Sequence, residues 1–262
     1  MTGGIGLEVR GLTVRYGGVV AVSNLSLKAP LGRCTGLIGP NGAGKTTVFN
    51  ACFGLIPSAT GEVELLGRSV ARLGPAARAR RGMTRTFQRM ELFDGLTVRE
   101  NIEMGREAAW VGSNVLRCLY RSPGGRAVVR QASDEAVELC GLADLADRPT
   151  GSLSTGQRRL VEFARALASP ATVLLLDEPS SGLDHAETSK FASVLANAVE
   201  ARGLAAILVE HDMDLVSSAC EEVHVVDFGK TIFEGRMADA QHDARVRAAY
   251  LGDAGTPLDP EG

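Results

Sequence analysis

Nine residues, Gly39-Pro40-Asn41-Gly42-Ala43-Gly44-Lys45-Thr46-Thr47, carry the spacing G-x-x-x-x-G-K-T, and each residue type answers a need of a triphosphate. Glycines let backbone N–H groups turn inward and touch phosphate oxygens, where a Cβ would collide. Lys45 brings a mobile ammonium to the β- and γ-phosphates, and the Thr46 hydroxyl can ligate Mg²⁺. A helical pattern begins at once over 45–53, so the positive end of a helix dipole points at the anion. Cys34-Thr35-Gly36-Leu37-Ile38 reads as the buried strand that should precede such a loop. The alternative is a glycine-rich turn without a ligand. The strand–loop–helix context and the scarcity of lysine, four residues against twenty-four arginines, argue against it. The spacing implies a nucleotide site.

Shorter stretches add to this chemistry. The apolar run 172–176 ends in Asp177-Glu178-Pro179. Two acids there suit one job each, one holding a Mg²⁺ shell and the other orienting or deprotonating a water. In Leu153-Ser154-Thr155-Gly156-Gln157, Ser154 has the form of a helix N-cap and Gly156 leaves first-turn amides accessible, which builds a second anion site. Capping alone would also explain the serine. His211 comes after the apolar run 204–209, at the strand end where open α/β sheets place ligands, and a turn histidine without a ligand is its alternative. Tyr16 closes a strand 29 residues before Lys45. Its ring could stack on adenine or pack on a strand neighbour. Gln88 comes after the strand-like 83–87 with one acceptor and one donor group, and by itself means little.

The elements that must position these residues can be read from periodicity. Residues 7–16 and 19–28 alternate as strands around Gly17-Gly18 and, with 32–38, make an antiparallel start feeding the loop. A short strand is predicted at 61–66, and the arginine-rich 68–81 reads as a solvated helix or turn. Residues 97 to about 142 turn helical, broken at Ser122-Pro123-Gly124-Gly125, and form a subsidiary helical lobe. Helices over 158–168, 186–202 and 213–219 alternate with strands over 204–209, 222–228 and 231–234. The last helix ends near Tyr250, and 253–262 reads as a frayed tail.

Composition bounds the partners. A chain of 262 residues supports one large core or a core with a subsidiary lobe. A net charge of −3 supplies no global field for nucleic acid. Residues 1–11 lack a signal-peptide pattern, and no apolar run approaches the roughly 18 residues a membrane span needs. Five dispersed cysteines show no metal-ligand spacing and read as small buried residues in a reducing cytosol.

Taken in order, these signals resemble the ATP-binding subunit of ABC transporters across essentially the whole chain. The residues that carry the resemblance are the loop 39–47, Gln88, the signature 153–157, Asp177-Glu178, Ser181-Gly182-Leu183-Asp184, His211 and the adenine-stacking aromatic Tyr16. Within that family the chain looks most like subunits that drive branched-chain amino-acid importers. Thr86-Phe87-Gln88, Glu91-Leu92-Phe93, 96–101, Val209-Glu210-His211-Asp212-Met213 and Ala248-Ala249-Tyr250-Leu251-Gly252 carry that closer likeness. Three positions depart from it: Thr155 stands where glycine is commoner, Asp184 where Asn is frequent, and His185 where proline is common.

The resemblance implies an α/β fold: a P-loop NTPase core with an antiparallel β subdomain and an inserted helical subdomain. One cassette domain would span 7–252, with the helical subdomain and signature at 97–165. It implies two cassettes, identical or paralogous, that meet head to tail on ATP. The loop 39–47 of one chain would hold the nucleotide, with Ser154, Thr155, Gly156, Gln157 and Asp184 of the other closing over it. Glu178 would polarise the attacking water. Asp177, Thr46 and Gln88 would serve Mg²⁺, Lys45 and His211 would neutralise γ-phosphate charge, and Gln88 would report to the helical lobe. Implied partners are two transmembrane permeases and, indirectly, a periplasmic or lipid-anchored solute-binding protein, with no nucleic acid, at the cytoplasmic face of the inner membrane. Energising another solute, such as urea or exported lipopolysaccharide, is the alternative, and a soluble ABC ATPase of translation or DNA repair a more distant one. The 66 positions from Gln88 to Ser154 leave no room for the long coiled coil of the repair proteins.

Overall fold

The computed structural model describes residues 4–57, 59–86, 91–111 and 123–253. Strands β1 (Ile5–Tyr16) and β2 (Val19–Pro30) form a hairpin whose last pair is Tyr16 with Val19. The two-residue Gly17-Gly18 turn opens with Gly17 at φ +58°, a conformation glycine adopts freely. With β4 (Thr60–Leu65) and β5 (Arg68–Ser69) they make a four-stranded antiparallel sheet in the order β2-β1-β4-β5.

The second sheet takes β3 (Arg33–Ile38), β6 (Met83–Arg85), β7 (Val173–Asp177), β8 (Ala205–Val209), β9 (Glu222–Asp227) and β10 (Lys230–Arg236). Their order is β10-β9-β3-β8-β7-β6, parallel except for β10 against β9. Every residue of β7 and β8 is buried, as a parallel strand covered on both faces requires. Alternate residues serve different cores. Val173, Leu175, Ile207 and Val209 join the antiparallel sheet and α1 (Lys45–Phe53), whereas Leu174, Leu176, Ala206 and Leu208 join the helices opposite. Those helices are α3 (Val98–Val111), α4 (Pro123–Leu139), α5 (Thr155–Ala168), α6 (His185–Arg202) and α7 (Met213–Ala219). The short α8 (Met237–Ala240) and α9 (Ala244–Asp253) close the chain. Burial pushes the Cys52 and Cys140 thiols up to about 12, which fits cysteines used for packing.

Three local expectations change. Residues 68–81 are not a solvated segment throughout: β5 is followed by α2 (Pro75–Arg80), and Arg78 within it is buried. Its guanidinium donates to the Ala51 and Leu73 carbonyls at 2.8 and 2.9 Å, so it caps the C-terminal end of α1, where carbonyls lack intrahelical donors. Charge counting sees an arginine-rich run and not the one fork aimed inward. Pro123 opens α4, and Gly124 and Gly125 lie inside its first turn, not in a linker; proline suits that position because its missing N–H would find no helical partner. The last helix runs on to Asp253. Gln88 and residues 254–262 lie outside the described residues.

Register positions the site. Leu37 and Asp177 both pair with Val209, so the carboxyl ends of β3, β8 and β7 finish on one line across the sheet. The segments that leave those three ends, residues 39–47, Glu210-His211 and Glu178-Pro179, therefore emerge side by side.

Candidate functional site

The loop after β3 is held by the turn after β9, which β2 braces in turn. The Gly229 amide donates to the Ala43 carbonyl at 2.9 Å, and the Ser23 amide donates to the Gly229 carbonyl at 2.8 Å. Gly39 and Gly44 sit at φ +148° and +102°. A Cβ would come within 2.0 Å of the Val226 carbonyl oxygen at the first and 2.8 Å of the Ala21 oxygen at the second. Glycine is thus demanded twice, by torsion and by backbone approach. Lys45 is buried, and its Nζ donates to the Gly39 and Pro40 carbonyls at 2.6 and 2.9 Å. Thr46 is exposed at the start of α1, beside the N-terminal amides. Tyr16, half exposed, closes β1 opposite Val19, two residues along β2 from the Ala21 that touches the loop.

Asp177 ends β7 with its carboxylate buried. Arg85 on β6 donates to Asp177 Oδ2 at 2.6 Å and to Asn50 Oδ1 of α1 at 2.5 Å, and its guanidinium lies 5.7 Å from the Phe49 ring centroid. This buried arginine ties the acid to the loop helix. Nothing in 68–88 singled it out, because its partner lies 92 positions away. Glu178 comes next at φ +47°, a conformation that costs a non-glycine residue on the order of 1 kcal/mol or more and clusters at functional sites. Its amide donates to the Val209 carbonyl at 2.9 Å. His211 stands exposed beyond β8, and the residue before it, Glu210, is wholly buried. Glu210 accepts from the Ser180 amide at 2.8 Å and the His211 amide at 3.1 Å. The sequence shows a glutamate closing the apolar run 204–209, but only the fold shows that it is buried and whose amides it accepts.

Ser154 N-caps α5 with a full capping box: its Oγ accepts from the Gln157 amide at 3.3 Å and its amide donates to Gln157 Oε1 at 3.0 Å. Glu187 on α6 adds a contact the sequence did not suggest. It accepts from Ser154 Oγ at 3.3 Å and from the Asp184 amide at 3.4 Å. A Cβ on Gly156 would lie 2.5 Å from the Glu187 carboxylate. Arg159 of α5 donates to the Ser181 carbonyl at 3.3 Å. The signature helix is thus fastened to the 181–187 segment. Ser154 bonds to Gln157 and to α6, whereas the Lys45 ammonium donates to carbonyls of its own loop. The predicted site residues lie at two places in the fold, the sheet's carboxyl edge and the start of α5, linked through Ser181, whose amide donates to the Glu178 carbonyl at 3.2 Å.

Known proteins point the same way. Residues 22–181 match the family described as ABC transporter, and residues 230–256 match the branched-chain amino acid ATP-binding cassette transporter family. The high-affinity branched-chain amino acid transport ATP-binding protein BraF of Pseudomonas aeruginosa is 36% identical over 95% of this chain and 98% of its own. LivG of Escherichia coli, with the same description, is 34% identical over the same shares. The lipopolysaccharide export system ATP-binding protein LptB of Haemophilus influenzae is 32% identical over 94% of this chain and 97% of its own. Among solved structures, the ADP conformation of MJ1267, an ATP-binding cassette of an ABC transporter, superposes with a TM-score of 0.82 at 28% identity. It covers 95% of this chain and 99% of its own.

Proposed function

This chain belongs to the ABC transporter family, as one of its ATP-hydrolysing cassettes, and from that premise we propose that it powers uptake of branched-chain amino acids or a closely related solute. The likeness to BraF and LivG and the match over 230–256 support that solute class over the lipopolysaccharide exported by the LptB system. The observation that carries the site assignment is the shared register, which ends β3, β7 and β8 on one line. ATP would lie on 39–47 with its base on Tyr16. Glu178 would take a proton from the attacking water, and Lys45 and His211 would offset charge growing on the γ-phosphate; positioning and charge do the work.

Thr46 and Asp177 offer one hydroxyl and one carboxylate oxygen, and Arg85 occupies Asp177 Oδ2. No cluster of three or more His, Cys, Asp or Glu that could hold a metal occurs among the described residues. That sparse, hard-oxygen set fits Mg²⁺, which is usually held by one or two protein oxygens together with phosphates and water. When bound, Mg²⁺ would neutralise charge on the phosphates. Gln88 is proposed to join this shell. Ser154, Thr155, Gly156, Gln157 and Asp184, fastened to α6 through Glu187, would close over the ATP of a second cassette.

No helix of the described residues is long and apolar enough to cross a membrane, so the transport path is proposed to lie in two permease subunits, fed by a solute-binding protein. A groove of about 490 Å³ between α2 and β6 on one side and α3 and α5 on the other offers their dock. It is lined by Ala79, Thr86, Glu91 and Met104. Ala79→Trp should fill it. The expected outcome in co-purification is loss of the permeases while the chain alone still binds ATP. Retention of both would exclude this groove. ATP turnover of the assembled complex, stimulated by leucine, isoleucine or valine with their binding protein and not by urea, would bear out the solute class; stimulation by urea alone would end it.

Tyr16 carries its own test. Base–aromatic stacking contributes about 1–3 kcal/mol, so Tyr16→Ala should raise the Kd for ATP roughly tenfold, and Tyr16→Phe should leave it near the parent value. Equal weakening in both variants would assign the residue to packing.

A further inference from the structure

We propose that Glu210 is a positioning residue for ATP hydrolysis: its buried carboxylate holds His211 in place against the loop that carries Glu178. This rests on the proposed function, in which Glu178 and His211 face one γ-phosphate.

The side chain of Glu210 has no solvent exposure. Oε1 accepts from the Ser180 amide at 2.8 Å; Oε2 accepts from the His211 amide at 3.1 Å and the Asp212 amide at 3.4 Å, and lies 3.8 Å from His211 Nδ1. The end of the strand ladder explains why a side chain is needed there. β7 and β8 pair through Asp177 and Val209, and the pairing runs one bond further, from the Glu178 amide to the Val209 carbonyl. At Glu178 the backbone swings to φ +47°, and Pro179 has no N–H to give. The next amide, that of buried Ser180, would be an orphan donor without an acceptor brought to it. Glu210 brings one, and its second oxygen takes the two amides at the start of the neighbouring loop.

A carboxylate suits this place because both oxygens accept and neither donates. Glutamine has nearly the same shape, but it must turn an NH₂ group towards N–H donors on one side or the other. An ionised group in the interior is costly unless its lone pairs are satisfied, and here backbone amides of two loops satisfy them together. Breaking one side frees the His211 loop from the loop after β7, and a displacement of about 1 Å at a reacting group costs on the order of 10²-fold in rate.

The test uses the full-length chain with Glu210→Gln and Glu210→Asp, each alone and combined with His211→Ala. ATP binding, steady-state and single-turnover hydrolysis and thermal melting are measured. The expected result is a folded Glu210→Gln protein with near-parent ATP affinity and kcat lower by about 10²-fold. In the His211→Ala background the same substitution should change the remaining rate little, because the group it positions is gone. Glu210→Asp, one methylene too short to span both loops, should show the same selective loss and replaces Glu210→Gln if that variant does not fold. Parent-like kcat in a folded variant, or a loss that multiplies fully with that of His211→Ala, overturns the proposal. So does failure of both variants to fold, which would make Glu210 a purely structural residue. Absence of ATP turnover in the parent would instead defeat the assignment of the site itself.

Discussion

Glu178→Gln is expected to yield a protein that binds ATP and hydrolyses almost none of it. A positioned general base contributes about 10²–10⁴-fold to rate, and glutamine keeps the length and hydrogen-bonding reach of glutamate while losing its ability to take a proton. The backbone fixes where that carboxylate starts. Glu178 sits just past Asp177, its amide is bonded to the Val209 carbonyl, and it holds an unfavourable φ of +47°. Binding measured with a fluorescent ATP analogue should match the parent, and a single-turnover assay should show a rate lower by about 10²-fold or more. With the proposed closure of two cassettes on ATP, the same variant should also accumulate the ATP-bound pair, because hydrolysis would no longer undo it. Turnover close to the parent's would remove Glu178 from the role of base.

Arg85→Met should destabilise the fold strongly. Removing one partner of a buried ion pair typically costs about 3–5 kcal/mol, because the other charge stays behind without a counterpart. Arg85 and Asp177 have side chains only 4% and 6% exposed, so water cannot take over. Methionine keeps much of the packing volume against Phe49 and loses the bonds to Asp177 and Asn50. In a chain of this size the melting temperature should fall by about 10 °C. Asp177→Asn in the same background should recover part of the loss, since it removes the stranded charge; a double-mutant cycle would read that coupling directly. An unchanged melting temperature for Arg85→Met would show that the pair is not a support of the fold. ATP hydrolysis should fall as well, since Asp177 would no longer be held in one orientation.

Glu178 and Arg85 differ greatly in legibility. Glu178 could be read from the chain, because an unbroken apolar run followed by two acids is a local pattern and parallel strands deliver their ends to a ligand edge. The loop 39–47, the Ser154 cap and the helix Lys45–Phe53 were legible for the same reason: glycine torsions, capping and helix starts are decided within a few residues. Gln88 entered only through the resemblance, and its segment lies outside the described residues.

Partners were another matter. Arg78 read as one more solvated arginine and instead caps α1 across 27 positions. Arg85 meets Asp177 across 92, Glu210 meets Ser180 across 30, and Glu187 meets Ser154 across 33. By itself the sequence determined the family, most of the order of strands and helices, and which short stretches are candidates for a phosphate site. Tertiary structure decided which charged side chains hold those stretches in place. The physical reason is that torsion and periodicity act between near neighbours. A hydrogen bond between two strand ends depends instead on sheet order and register, which place Leu37, Val209 and Asp177 on one line and which no local run of residues spells out.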